Sequence, residues 1–158
     1  PMLFLDRLVQ EGVQLDCVGV QGLIGEGQGH AARDLMQFSA LLDRFLLLEM
    51  PVMITALGAP SEPCSSAVGT WHGPWSQKIQ SDCAARIFPI LMSKPFVEAV
   101  FWAELSDNDQ QRTAGLGLLD ATGTPRQALA RLVAMRRRLR RPLGALKGVG
   151  PVAALGGA

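Results

Sequence analysis

The apolar positions along the chain change their period several times, and each change marks an element. Residues 3–10 (LFLDRLVQ) repeat at helical spacing and stop ahead of Gly12, which reads as the end of a helix. Residues 15–22 (LDCVGVQG) form a short β-rich run bounded by glycine, and a Gly-rich loop follows over 22–30. Between 31 and 49, Leu35, Phe38, Leu41, Leu42, Phe45 and Leu46 fall on one stripe and predict a long helix, punctuated by Pro51. Residues 51–58 (PVMITALG) are apolar on both faces, as strands are in a parallel sheet covered on both sides.

The second half repeats the alternation. Residues 58–75 are rich in Gly, Pro and Ser and read as a long loop. Ser76 can cap a helix running to about Met92, with Pro89 expected to kink it or end it early. Residues 96–105 (FVEAVFWAEL) read as a third strand. A last helix is expected from about Pro125 to Leu139, with Thr124 as its cap. Strands separated by helices imply an α/β fold built from βαβ units. Three strands do not close a barrel, which takes about 250 residues, and they leave two open edges. The sequence therefore predicts a fragment, or a chain that pairs with something else. Its first residue is Pro, and it reads as starting mid-domain.

Composition sharpens this. Apolar residues make up 48% of the 158, enough to bury a core, and the net charge of +1 offers no global field for nucleic acid. No apolar run reaches the roughly 18 residues of a membrane span, and no signal peptide opens the chain. Residues 142–158 (PLGALKGVGPVAALGGA) are expected to form a disordered tail behind a domain covering 1–141. The basic run 136–141 (RRRLRR) suits the C-terminal end of a helix dipole, and no aromatic residue interleaves with it as a nucleic-acid site would want.

Few residue sets carry chemistry. Cys17, Cys64 and Cys83 have no CxxC spacing and read as small buried hydrophobes. His30 and His72 have no ligand spacing with cysteines or carboxylates, so neither a metal nor another cofactor is expected. Residues 26–34 (EGQGHAARD) place glycines before a helix but lack GK[ST] and GxGxxG. No nucleophile elbow occurs around the serines near residue 66.

Four segments, in order and with helical spacers, resemble glycoside hydrolase family 10, whose best-known members are endo-β-1,4-xylanases. LDCVGVQG resembles its sixth strand, PVMITALG its seventh ("P-v-x-I-T-E-l"), and residues 98–107 (EAVFWAELSD) its eighth, which carries a Trp at the sugar site. Residues 115–132 (GLGLLDATGTPRQALARL) resemble the family's ending, and residues 71–80 (WHGPWSQKIQ) a bacterial branch of it. The resemblance covers about residues 3–135 and implies the C-terminal portion, about three strands, of a TIM (β/α)₈ barrel acting on a xylan-like polysaccharide. The family is often secreted or periplasmic; the chain itself gives no compartment.

The resemblance also shows what is absent. Retaining glycosidases use two carboxyl groups about 5–5.5 Å apart. The Glu of "I-T-E" on strand seven, the nucleophile, is Ala56 here, the acid/base Glu belongs to a fourth strand outside this chain, and Gln21 is not followed by the family's His. No catalytic residue is therefore assigned. Glu62, Glu104 and Asp107 are the carboxylates that a substitute pair would need. Gln21 and Trp102 are expected at the barrel mouth, and Trp71, His72 and Trp75 in a loop where burial is not demanded; these five are the candidate carbohydrate-binding residues. Three readings stay open: a fragment or divergent end of a hydrolase, an inactive relative that binds glycan or protein, and an interaction module using Arg136 to Arg141. With two open sheet edges, either the missing barrel half or self-association is expected to complete the fold.

Overall fold

In the computed structural model, residues 2–25, 34–63, 71–107 and 115–140 are described. Helix α1 (Met2–Gln10) leads to strand β1 (Val18–Leu23), then to α2 (Leu35–Asp43), β2 (Val52–Gly58), α3 (Gln77–Met92), β3 (Val97–Trp102) and α4 (Gln127–Leu139). The three strands form one parallel sheet in the order β1-β2-β3. Parallel neighbours joined through helices are the repeating unit of a β/α barrel, and the sheet is an open part of one. Both outer strands keep an unpaired edge among the described residues.

The core lies between one sheet face and the helices. Val18, Val52, Ile54 and Leu57 meet Leu42 of α2 and Cys83, Ile87 and Leu91 of α3. Val52 and Ile87 are wholly buried. Burial in this apolar layer pushes the Cys83 thiol up to about 12, so it stays protonated and unreactive. Cys17, by contrast, is exposed, so the expectation of a buried small hydrophobe fails there. Cys64, His30, Arg141 and the tail at 142–158 lie outside the described residues.

Several boundaries differ from the sequence reading for physical reasons. The long helix expected over 31–49 is broken in two: Asp34 caps α2 by accepting from Met36 and Gln37, and Arg44–Leu48 tighten into a 3-10 helix that ends on Glu49 in a left-handed conformation. β1 starts at Val18 rather than 15, where the Val18 N–H finds the Pro51 carbonyl. Pro89 does not stop α3, which runs on to Met92. Ile87 and Leu91 on either side of it are fully buried, so packing outweighs the missing hydrogen bond, and the exposed Pro89 ring points away from that core. The cap expected of Thr124 is absent; α4 begins two residues later, after Arg126.

The stretch ahead of α4 is held by polar bonds instead. Asp120 Oδ1 accepts from the Thr122 amide, the Thr122 hydroxyl and the Thr124 amide, and these hydrogen bonds, that of Thr122 foremost, hold its carboxyl below the usual carboxylate range. Arg126 is buried and ion-paired with Asp107, whose other oxygen accepts the Gly117 amide at 2.8 Å. A Cβ on Gly117 would collide with the Leu119 carbonyl and the Asp107 amide, so only glycine fits. The sequence ending that resembles family 10 is, in this chain, a structural knot.

Candidate functional site

In β/α barrels the chemistry sits where the strands end, on the side the barrel encloses. The register defines that side here. Val18, Val52 and Val97 are aligned, as are Val20, Ile54 and Val100, and Leu57 with Trp102; all of these belong to the helix-side core. The opposite face therefore carries Gly19, Met53 and Ala99, followed by Gln21 paired with Ala56. Phe101 lies between Val100, paired with Ile54, and Trp102, paired with Leu57, and so falls opposite the irregular step of Thr55 and Ala56. Gln21 is exposed, Ala56 half-buried and Phe101 54% exposed.

Bulges shape this row. Pairing slips between Val20 and Gln21 and again between Ile54 and Leu57, so Thr55 and Ala56 together answer a single step of each neighbouring strand. Thr55 stays exposed beside Gly19, and its hydroxyl donates to the Val20 carbonyl at 3.3 Å. None of Gln21, Ala56 and Phe101 bears a charge. Among the carboxylates considered as substitutes, Asp107 is committed to Arg126 and Gly117, and Glu62 is exposed in the loop after β2. Among the described residues no three His, Cys, Asp or Glu side chains gather to hold a metal ion.

Trp102 sits elsewhere than expected. Its indole borders Leu57, Cys83, Ala84 and Ile87, on the α3 side of the sheet, and its N–H donates to the Leu116 carbonyl at 2.8 Å. The ring ties β3 to the following loop and does not open onto the enclosed face. Trp71 and Trp75 also correct the expectation of loop tryptophans free of the core: they are 1% and 5% exposed. Trp75 closes over Gly25 and Pro60, where a Cβ on Gly25 would lie 3.1 Å from its ring. The Arg86 guanidinium lies 5.7 Å from the Trp71 ring centre, and His72 meets the same ring edge-on at 4.6 Å. His72 itself is exposed, in a left-handed backbone conformation.

Two residues that the sequence reading passed over matter here. Gln80 of α3 is wholly buried, and its amide nitrogen reaches the carbonyls of Ala59, Gly115 and Gly117 at 3.0–3.3 Å, joining the loops that follow β2 and β3. A buried Gln inside an amphipathic helix was the available signal. Phe101 was hidden because Val100, Phe101 and Trp102 are all apolar, and the slip in the β2–β3 pairing decides which aromatic faces outward.

With that geometry in place, solved structures supply a comparison. The chain is similar to xylanase 10B from Thermotoga maritima, at 20% identity and a TM-score of 0.64, over 87% of this chain and 41% of that one. It is also similar to a beta-glucuronidase from Bifidobacterium dentium, at 21% identity and a TM-score of 0.61, over 81% of this chain and 21% of that one. A beta-glucuronidase from Faecalibacterium prausnitzii matches at 17% identity and a TM-score of 0.60, over 81% and 22%. The chain thus spans between about a fifth and two fifths of these structures. No family model matches it, and no curated protein matches its sequence. At these identities the likeness shows the fold, that of part of a β/α barrel.

Proposed function

We propose that this chain is the closing end of a divergent glycoside hydrolase barrel related to xylan-degrading enzymes, with no hydrolytic power of its own. The observation that carries the reading is Ala56. It occupies the enclosed-face row at the C-terminal end of β2, where the family 10 pattern has its nucleophilic Glu. A methyl group cannot form a glycosyl-enzyme bond, and losing covalent catalysis costs several orders of magnitude in rate. The side chains that remain, Gln21 and Phe101, can still hold a sugar by amide hydrogen bonds and ring stacking, so recognition of a xylan-like polysaccharide is what the site retains.

The barrel needs eight strands, and three are present among the described residues. Two copies would supply six and three would supply nine, so copies of this chain cannot rebuild an eight-stranded barrel. The fitting complement is five further β/α units, on the same polypeptide or another. The test is hydrolysis of an aryl β-xyloside by the 158-residue chain. The expected rate equals the buffer blank; turnover above it would overturn the proposal.

A further inference from the structure

We infer that the groove between α3 and α4 is a binding site for a free fatty carboxylate, its acyl chain along the apolar walls and its carboxylate on Arg136 and Arg140. The groove has a volume of about 480 Å³, within the range of small-molecule pockets. Phe88 and Met92 line it from α3, and Leu132 and Val133 line it from α4. Positions 129, 132, 133, 136 and 140 recur at steps of three and four or their sums, so they share one side of α4. That side passes from apolar side chains to two guanidiniums over about 16 Å of helix. Met92 and Val133 are 56% and 40% exposed, apolar surface that an acyl chain would take out of water.

Charge complementarity decides the occupant. No Asp or Glu lines the groove, and among the described residues neither Arg136 nor Arg140 takes part in a salt bridge. Arg126, nearer the start of α4, is by contrast committed to Asp107. Arg137 and Arg138 adjoin the pair and add to the positive field. Exposed guanidiniums at the end of an apolar trough have donors in a fork that a carboxylate can accept from bidentately. An uncharged apolar molecule would leave those donors unused, and a sugar would set hydroxyls against Phe88 and Leu132. An unbranched acyl chain ending in a carboxylate matches both parts.

The experiment titrates dodecanoate into the 158-residue chain by calorimetry, at neutral pH and below its micelle concentration. Dodecyltrimethylammonium serves as the same tail with the opposite charge. One dodecanoate per chain is expected to bind, about ten-fold or more tighter than the cation. The double variant Arg136→Gln, Arg140→Gln is expected to weaken dodecanoate about ten-fold and to leave the cation no weaker. Val133→Glu puts an anion among the apolar walls and is expected to abolish dodecanoate binding. Melting curves matching the parent show that these exposed positions accept the changes. Equal affinity for the two amphiphiles, or parent-like dodecanoate binding by the double variant, would overturn the inference. So would no dodecanoate binding by the parent, and two readouts then identify what covers the groove. Loss of self-association in Val133→Glu assigns it to a second copy, and flotation with phosphatidylglycerol vesicles assigns it to a membrane surface. Loss of dodecanoate binding in a folded fusion with five further β/α units ahead of residue 1 would overturn the inference in favour of the barrel complement.

Discussion

Asp120 shows how much of the sequence signal near the C-terminal end is structural. It is half-buried, and three donors from Thr122 and Thr124 converge on one of its oxygens. Its carboxyl is held below its ordinary value of 3.8, chiefly by the Thr122 hydrogen bond. A depressed carboxylate stabilises the fold above its ordinary value, and that contribution is lost as pH falls through the lowered one. Asp120→Asn is therefore expected to lower the urea midpoint at neutral pH, with the gap to the parent closing in acid as pH falls through the lowered value and the Asp120 carboxyl becomes neutral. A gap that persists undiminished in acid would show that Asp120 acts through shape rather than charge. The same scale explains the tryptophans. A loop rich in Gly and Pro gives no hint that Trp71 and Trp75 turn inward, because what buries them is the distant surface of Gly25, Pro60 and Arg86.

Among the elements, the strands and α3 were legible because their patterns are local. PVMITALG reads as a doubly covered strand, and β2 occupies 52–58. Ser76 reads as a cap, and its hydroxyl does accept from Ile79. Legibility failed where tertiary packing overrides propensity. The break of the 31–49 helix into α2 and a 3-10 helix leaves the apolar stripe intact, so periodicity could not reveal it. The slips in pairing around Gln21 and Thr55–Ala56 decide which residues face the enclosed side, and no pattern within one strand encodes them. Pro89 is the sharpest case. Its place inside α3 removes one helix hydrogen bond, so Pro89→Ala is expected to stabilise the chain by about 2 kcal/mol. That is the ~3 kcal/mol helix-interior cost of proline less about 1 kcal/mol for the freedom returned to the unfolded chain. Urea midpoints measure it; an unchanged or lowered midpoint would mean that α3 bends around Pro89 without cost.

At the scale of the whole molecule, one sheet face is covered and the other carries Phe101 in the open. Leu3, Phe4, Met36, Leu47 and Leu105 add further exposed apolar surface. With two open sheet edges, the 158-residue chain alone is expected to self-associate, and sedimentation should show a concentration-dependent weight average above the monomer. A sharply melting monomer would show that the sheet needs no complement. The central claim is that Ala56 stands where a barrel nucleophile would stand, in an otherwise usable fold. The most direct measurement joins the first five β/α units of the Thermotoga maritima xylanase to this chain and assays aryl β-xyloside hydrolysis with and without Ala56→Glu. A folded, monomeric chimera is expected to be silent with Ala56 and to turn over substrate with Ala56→Glu. A well-folded chimera that stays silent with Ala56→Glu would contradict the account, because Ala56 would then not be the position that catalysis lost.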